Sequence, residues 1–427
     1  MTCQVVLFNA WGVALASDSA VTSGNRVLHG SEKVFALTLP HKIAVLTSSS
    51  ARLMSFPWES VLSAWSETLT RPLSSVEDYW TSLEKWLSSS ISSTVEVVDA
   101  EFDYLENVVY WKIRENLVEN IWKPFLYDAF QEMTTPEDFE IAKGRNWSPD
   151  FKERMNNLLT PEINEKVRSV LAGLKQERIE SHEIAKGLTI GQATVWIQRY
   201  FAEYQSRFDK SFKDDILDDL PDFENIEEMF LELAATYVAY PDESRTSWIC
   251  MAGFGEDDLL PSGLEQEVHG VIAGVVLKGH GFVGAQIEEQ GSLFYGQRDA
   301  LNSLVFGQDS LLLDATAKNN ETLSKLRAEI PEGDDALSTR MREAFDSTLG
   351  SSNLEEAVIS AGREKRLRPF QRAIQMSPVK DLADFAGTLV GVQAAQAAFT
   401  QDNPTVGGPI DVAIITRHEG FQWIRRK

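Results

Sequence analysis

The sequence predicts a layered α/β chain in which antiparallel hairpins alternate with blocks of helix. Three observations carry that expectation. Period-two apolar stretches open the chain, return after residue 246 and close it. Two long helix-patterned blocks lie between them. The strand pairs are joined by short turns, which connect antiparallel neighbours, whereas parallel neighbours need a long crossover; this excludes a doubly wound parallel sheet.

Taken in order, Val5 and Leu7, then Val13 and Leu15, alternate with small or polar residues on either side of a turn at Asn9–Gly12. A second extended pair runs over Lys33–Leu39 and Lys42–Thr47, and a helix is expected from about Ala51 to Leu69. From Pro72 to Asp222 strand signals vanish. Phe102, Leu105, Val109, Trp111 and Ile113 recur at helical spacing, and Trp80, Trp86, Trp122, Trp147 and Trp196 add large apolar area suited to helix cores. This block closes on an acidic run, Asp214 to Glu228, read as a solvated face. Strands resume at Thr246–Phe254, Gly270–Lys278 and Gly281–Glu288, with Gly279-His280-Gly281 as the hairpin turn. Helical patterning follows over 299–372. Over Val379–Phe399, Leu382, Phe385, Leu389, Val392, Ala395 and Phe399 share one face. Asp411–Thr416 and Phe421–Ile424 make a closing pair. The domain reading is a core of residues 1–70 and 223–427, elaborated by helices at about 310–375, with a helical insertion over 71–222.

A length of 427 residues fits one large domain with insertions or a few domains. The formal net charge of −24 argues against nucleic acid and anionic membranes as partners, since phosphate contact needs basic surface. No apolar run reaches the roughly 18–20 residues of a membrane span, and no secretory signal is expected, so a cytoplasmic setting is the expectation. Cys3 and Cys250 cannot form a disulfide framework. There is no phosphate-binding Gly-rich loop, no nucleophile elbow and no close pairing of histidines, and no metal or cofactor is expected. Ser377-Pro-Val-Lys380 lacks the companion motifs of a Ser-Lys enzyme.

One constellation carries chemistry. Removal of Met1 exposes Thr2, which then holds a hydroxyl nucleophile and an α-amine base in one residue; an α-amine titrates near 7.7–8.0, suited to accepting a proton at neutral pH. Around it stand Thr2-Cys3-Gln4-Val5-Val6, then Gly12-Val-Ala-Leu-Ala-Ser-Asp18-Ser19, Thr22-Ser23-Gly24-Asn25, Glu32-Lys33-Val34-Phe35 and Ile43-Ala-Val-Leu-Thr-Ser48-Ser-Ser-Ala51. This succession resembles the opening of proteasome-type peptidases, which include proteasome β-subunits and their Anbu-type bacterial relatives. The resemblance implies a four-layer αββα sandwich of the N-terminal-nucleophile (Ntn) hydrolase class with a large helical insertion. It implies Thr2 as nucleophile, Lys33 as the cation beside it, Asp18 as the acid orienting that lysine, and the backbone N–H at Ser48 as oxyanion donor. Near the C-terminus, Asp402-Asn-Pro-Thr405-Val406-Gly407-Gly408 resembles the segment that supports the terminal amine, implying Asp402 and Thr405. The remaining supporting position falls at Gly296-Gln297-Arg298-Asp299-Ala300, where Asp299 takes the place of a serine. The implied activity is hydrolysis of peptide or unfolded protein by a homo-oligomeric ring, fed by an activator or unfoldase. The alternatives are an inactive scaffold of the same fold, or an Ntn amidase acting on a small molecule.

Overall fold

The computed structural model describes residues 2–23, 26–29, 32–91, 95–105, 113, 116, 161–208, 223–241, 246–283, 291–330, 336–351, 354–401 and 404–426. Trp111, Trp122, Trp147 and the acidic run from Asp214 to Asp222 lie outside them, as does the middle of the expected insertion, residues 117–160.

Two five-stranded antiparallel sheets organise the chain. Its strands are β1 (Cys3–Asn9), β2 (Gly12–Asp18), β3 (Ala20–Ser23), β4 (Arg26–His29), β5 (Val34–Ala36), β6 (Lys42–Ser49), β7 (Arg52–Leu53), β8 (Phe56–Pro57), β9 (Ser247–Phe254), β10 (Ser262–Ile272), β11 (Val275–Val283), β12 (Ser292–Gly296), β13 (Ile410–Thr416) and β14 (Gly420–Arg425). One sheet runs β12-β1-β2-β13-β14 and the other β11-β10-β9-β6-β5. Period-two alternation sorts their side chains. Val6, Phe8, Val13 and Leu15 of the first sheet share a buried cluster with Ala44, Leu46, Cys250 and Ala252 of the second. The opposite face of the first sheet, Val5, Leu7, Ala14 and Ala16, packs against the long helix Val379–Thr400. Ile43, Val45, Ile249 and Met251 of the second sheet bury Trp58, Trp65, Tyr79 and Leu83 from the helices Trp58–Ser66 and Val76–Trp86.

Three differences from the sequence reading have clear physical causes. The expected helix at Ala51 starts only at Trp58, because a small hairpin, β7–β8, intervenes through Met54 at φ 54°. The β10–β11 turn falls at Ala273-Gly274, both at positive φ as a tight hairpin requires, and not at Gly279-His280-Gly281. The latter glycines lie within β11 opposite a bulged stretch of β10, where Gln266 and Glu267 occupy the space side chains would need. On the helix Val379–Thr400, Leu382 and Leu389 are buried as expected, but Phe385, Val392 and Phe399 are exposed. The sheet instead receives Ala383, Ala386, Gly387, Val390 and Ala397, small residues that let helix and strands approach closely.

The helices Pro161–Ser181, Ile190–Phe208 and Phe223–Ala239 form a second cluster around Val167, Leu171, Ile197, Leu233 and Val238, which also takes Ile272 and Leu277 from the β10–β11 hairpin. Glu101, on the helix Val95–Tyr104, joins that hairpin: its carboxylate accepts the N–H of Ala273 at 2.9 Å. No described helix is long and apolar enough to cross a membrane.

Burial raises the Glu101 carboxyl to about 7 despite the stabilising backbone bond. A folded-state value above the unfolded one means that stability is fullest below the unfolded value and falls as pH rises through about 7. Glu101→Gln should therefore flatten the pH dependence of chemical denaturation between pH 5 and 8 and stabilise the fold at pH 8 by about 1–3 kcal/mol.

Candidate active site

Thr2, Asp18 and Lys33 come together where the two sheets meet. β1 pairs with β12 in the register Cys3↔Gly296, so the carbonyl of Thr2 accepts the N–H of Gln297 at 2.7 Å. Gly296 has φ 73°, and a Cβ there would collide with that carbonyl. The residue is thus required to be glycine for Thr2 to reach its place. On the other side β1 pairs with β2, and the Gln4↔Ser17 pair brings the next residue, Asp18, to the Cys3 amide.

Asp18 is 1% exposed, and its carboxylate is saturated with donors. Oδ1 accepts the Cys3 N–H at 3.0 Å and the Lys33 ammonium at 2.8 Å. Oδ2 accepts the N–H of Gly407 at 3.1 Å and of Ala20 at 3.3 Å. Lys33, 4% exposed, also donates to the Ala20 carbonyl. A buried ion pair survives desolvation only with such additional bonds. Gln4 completes the framework from between the sheets: its Nε2 donates to the Thr47 carbonyl at 2.9 Å and to Ser17 Oγ at 3.2 Å.

A pocket of about 40 Å³ is lined by Thr2, Val21, Lys33 and the segment Thr47–Ala51. Thr2 and Ser48 therefore share it, as the sequence expectation requires, but the strand register separates the role of Ser48 from that of its neighbour. Ser48 lies opposite Trp248, and Ser50 donates to the Thr246 carbonyl at 3.0 Å. In an antiparallel ladder, hydrogen-bonded and non-bonded pairs alternate, so the Ser48 N–H belongs to the β9 side. The Ser49 N–H turns the other way, with that of Thr47, which reaches the Lys33 carbonyl at 3.1 Å. By this alternation the Ser49 amide lies on the β5 side of β6, and both Ser48 and Ser49 line the pocket. Ser49 adopts φ 66°, a conformation unfavourable for a non-glycine residue and frequent at functional sites. The Ser48 hydroxyl is buried with no hydrogen-bond partner, and so is that of Ser19, which follows Asp18 in sequence.

The supporting residues divide. Thr405 donates to Gln297 Oε1 at 3.2 Å, which couples the segment before β13 to the residue holding the Thr2 carbonyl. Gln401 also engages Thr405, through its N–H and its hydroxyl. Asp402 lies outside the described residues. Asp299 is exposed at the start of a short helical turn, Asp299–Leu301, and no hydrogen bond links it to Thr2. The neighbours that do reach the cluster, Gln297, Gly407, Gln4 and Ala20, were not singled out from sequence. Three of them act through backbone atoms, which carry no residue signature. Burial, and then the Asp18 charge, hold the Cys3 thiol far above its ordinary value, so Cys3 is no rival nucleophile. Among the described residues, no group of three or more His, Cys, Asp or Glu could hold a metal ion.

No family model matches the chain, and no curated protein does. Among solved structures, the chain is similar to an Anbu (Gly-1) mutant from Hyphomicrobium sp. strain MC1, at 10% identity and TM-score 0.30, covering 100% of this chain and 86% of that one. It is similar also to Anbu (ancestral beta-subunit) from Yersinia bercovieri, at 8% identity and TM-score 0.28, covering 100% of this chain and 88% of that one. Similarity at this level carries no functional argument, and the site is read from its own geometry.

Replacing Asp18 by Asn leaves the Lys33 ammonium buried without a counter-charge. Asp18→Asn should lower unfolding stability by about 3–5 kcal/mol in chemical denaturation, whereas Asp299→Asn should leave it unchanged.

Proposed function

We propose that the chain is a proteasome-type Ntn hydrolase, a four-layer αββα sandwich in which Thr2 cleaves amide bonds once Met1 is removed. The single observation that carries this reading is the buried Lys33–Asp18 pair, 2.8 Å long, in the wall of the pocket that Thr2 enters. A buried ion pair, even one whose lone pairs are used, is a poor stabiliser compared with apolar packing, so its placement beside a hydroxyl supports a catalytic reading.

In this reading the Thr2 α-amine takes the hydroxyl proton as Oγ1 bonds to the substrate carbonyl carbon. The carbonyl oxygen becomes an oxyanion and accepts the Ser49 N–H. The Lys33 ammonium favours the neutral amine and lowers the energy of the developing negative charge. The tetrahedral intermediate collapses with cleavage of the C–N bond; the leaving amine takes the proton held by Thr2, and an ester remains on Oγ1. Water, deprotonated by the same amine, attacks the ester and releases the acid. Peptides or unfolded protein are the proposed substrates, and a homo-oligomeric ring supplied by an activator the proposed assembly. A second reading, an inactive scaffold of the same fold, is favoured by the 5% exposure of Thr2 and the small pocket before it.

Mass analysis of the purified protein should find Met1 absent. Thr2→Ala should abolish peptide hydrolysis and labelling by electrophilic threonine-peptidase inhibitors, and Thr2→Ser should retain part of both. An unlabelled wild-type protein with intact Met1 would select the scaffold reading.

The lysine gives an independent check. Lys33→Ala should lower kcat by about 100- to 1,000-fold, the scale of losing a preorganised charge or donor. Lys33→Arg should not restore it, because a planar guanidinium cannot replace a compact ammonium in a cavity this size.

A further inference from the structure

A second, larger pocket lies at the outer edge of the first sheet, beside β12. It has a volume of about 490 Å³, within the range of roughly 300–1,000 Å³ typical of small-molecule sites. Its lining combines three arginines, Arg298, Arg363 and Arg368, with the aromatic rings of Phe294 and Phe306 and one carboxylate, Glu265.

The lining is built by an unusual piece of backbone. Two π-helical turns, Asn302–Phe306 and Arg363–Leu367, contribute Phe306 and Arg363. Such turns are rare and recur at functional sites because the extra residue re-aims the side chains that follow. Here the two turns are pinned together. Arg366 donates to the Ser303 carbonyl at 2.7 Å, and Gly362 packs so closely on the Phe306 carbonyl that a Cβ could not be accommodated. Phe294 meets Phe306 edge-on, with ring centroids 5.8 Å apart, which fixes the apolar wall.

The charge at this place runs against that of the protein. The chain carries a formal charge of −24, yet residues 363–372 hold Arg363, Lys365, Arg366, Arg368 and Arg372 against the single acid Glu364. Arg368 is paired with Glu364. No ion pair joins Arg298 or Arg363 to a carboxylate among the described residues; Arg298 donates to the Phe294 carbonyl at 3.3 Å, and its charge acts on Glu265 across the pocket. Burial raises the Glu265 carboxyl above its ordinary value, against the opposing pull of the Tyr295 hydrogen bond and the Arg298 charge.

We propose that this pocket binds a small organic anion, a carboxylate or phosphate monoester attached to an apolar body, with Arg298 and Arg363 on the charged group and Phe294 and Phe306 against the rest. The two exposed guanidinium groups supply charge-assisted, fork-shaped donors for such an anion, and the two rings supply a rigid apolar surface. The site is independent of the Thr2 chemistry.

The test is calorimetric titration of the full chain with phenyl phosphate and with 4-phenylbutyrate, with inorganic phosphate and benzyl alcohol as controls. At least one organic anion should bind saturably, inorganic phosphate should bind more weakly, and benzyl alcohol should not saturate. Arg298→Gln and Arg363→Gln should each weaken binding about tenfold, the effect of losing one charge-assisted bond. Both side chains are exposed, so the variants should keep the wild-type Tm. Failure of both organic anions to saturate at millimolar concentration would overturn the proposal. So would unchanged affinity in the double variant, or binding of benzyl alcohol as strong as that of the anions.

Discussion

The arrangement around Thr2 depends on one interaction, the buried bond between Lys33 and Asp18. Each partner comes from a different sheet: Asp18 ends β2 of the first, and Lys33 immediately precedes β5 of the second. Moving an ammonium and a carboxylate out of water costs several kcal/mol per ion, and their mutual attraction offsets this only when the remaining lone pairs are used. Asp18 meets that condition by accepting three backbone N–H groups as well as the ammonium. Those three donors belong to β1, the start of β3 and the segment before β13, so the ion pair sets the relative position of four stretches of chain. Any substitution that weakens it acts on all of them.

The same economy explains why Thr2 is where it is. The first sheet places β1 between β12 and β2, so the residue before β1 is held from both sides. Gly296 and Gln297 hold its carbonyl, and Asp18 holds the amide that follows it. Gln4, one turn of the pleat further on, ties the first sheet to the second through Thr47. The strand that follows Thr2 is thereby fixed relative to the strand that carries Ser48 and Ser49, which is the preorganisation the proposed hydrolysis requires.

The two pockets show how one chain uses different local rules. At Thr2 the backbone is regular until Ser49, and the pocket is built from strand ends. Beside β12 the regular helices are interrupted twice, and the lining rests on π-helical turns whose contact demands Gly362. In both places a conformation unfavourable by itself is maintained by the packing around it.

Much of the fold was legible in the sequence. Short apolar runs bounded by turns marked β1, β2, β6, β9, β13 and β14, since the central strands are buried against the other sheet on one face and against helices on the other. Thr2, Asp18, Lys33, Ser48 and Thr405 were legible as residue types in a spacing, and the structure brings Thr2, Asp18, Lys33 and Ser48 to one place. What only the tertiary structure decided depends on backbone geometry or on distant neighbours. Which amides of β6 pair with β9 and which lie on the β5 side follows from the register of β6 with β9, two segments about 200 residues apart in sequence. The β10–β11 turn fell at Ala273-Gly274 because cross-strand pairing outweighed the glycine signal at 279–281. Phe385 and Phe399 stayed outside because the sheet admits small residues, and a helix's periodicity states which residues share a face, not which face is buried. Composition and spacing record side chains; the direction of an N–H, the register of a strand and the closeness of two backbones are settled only when the whole chain packs.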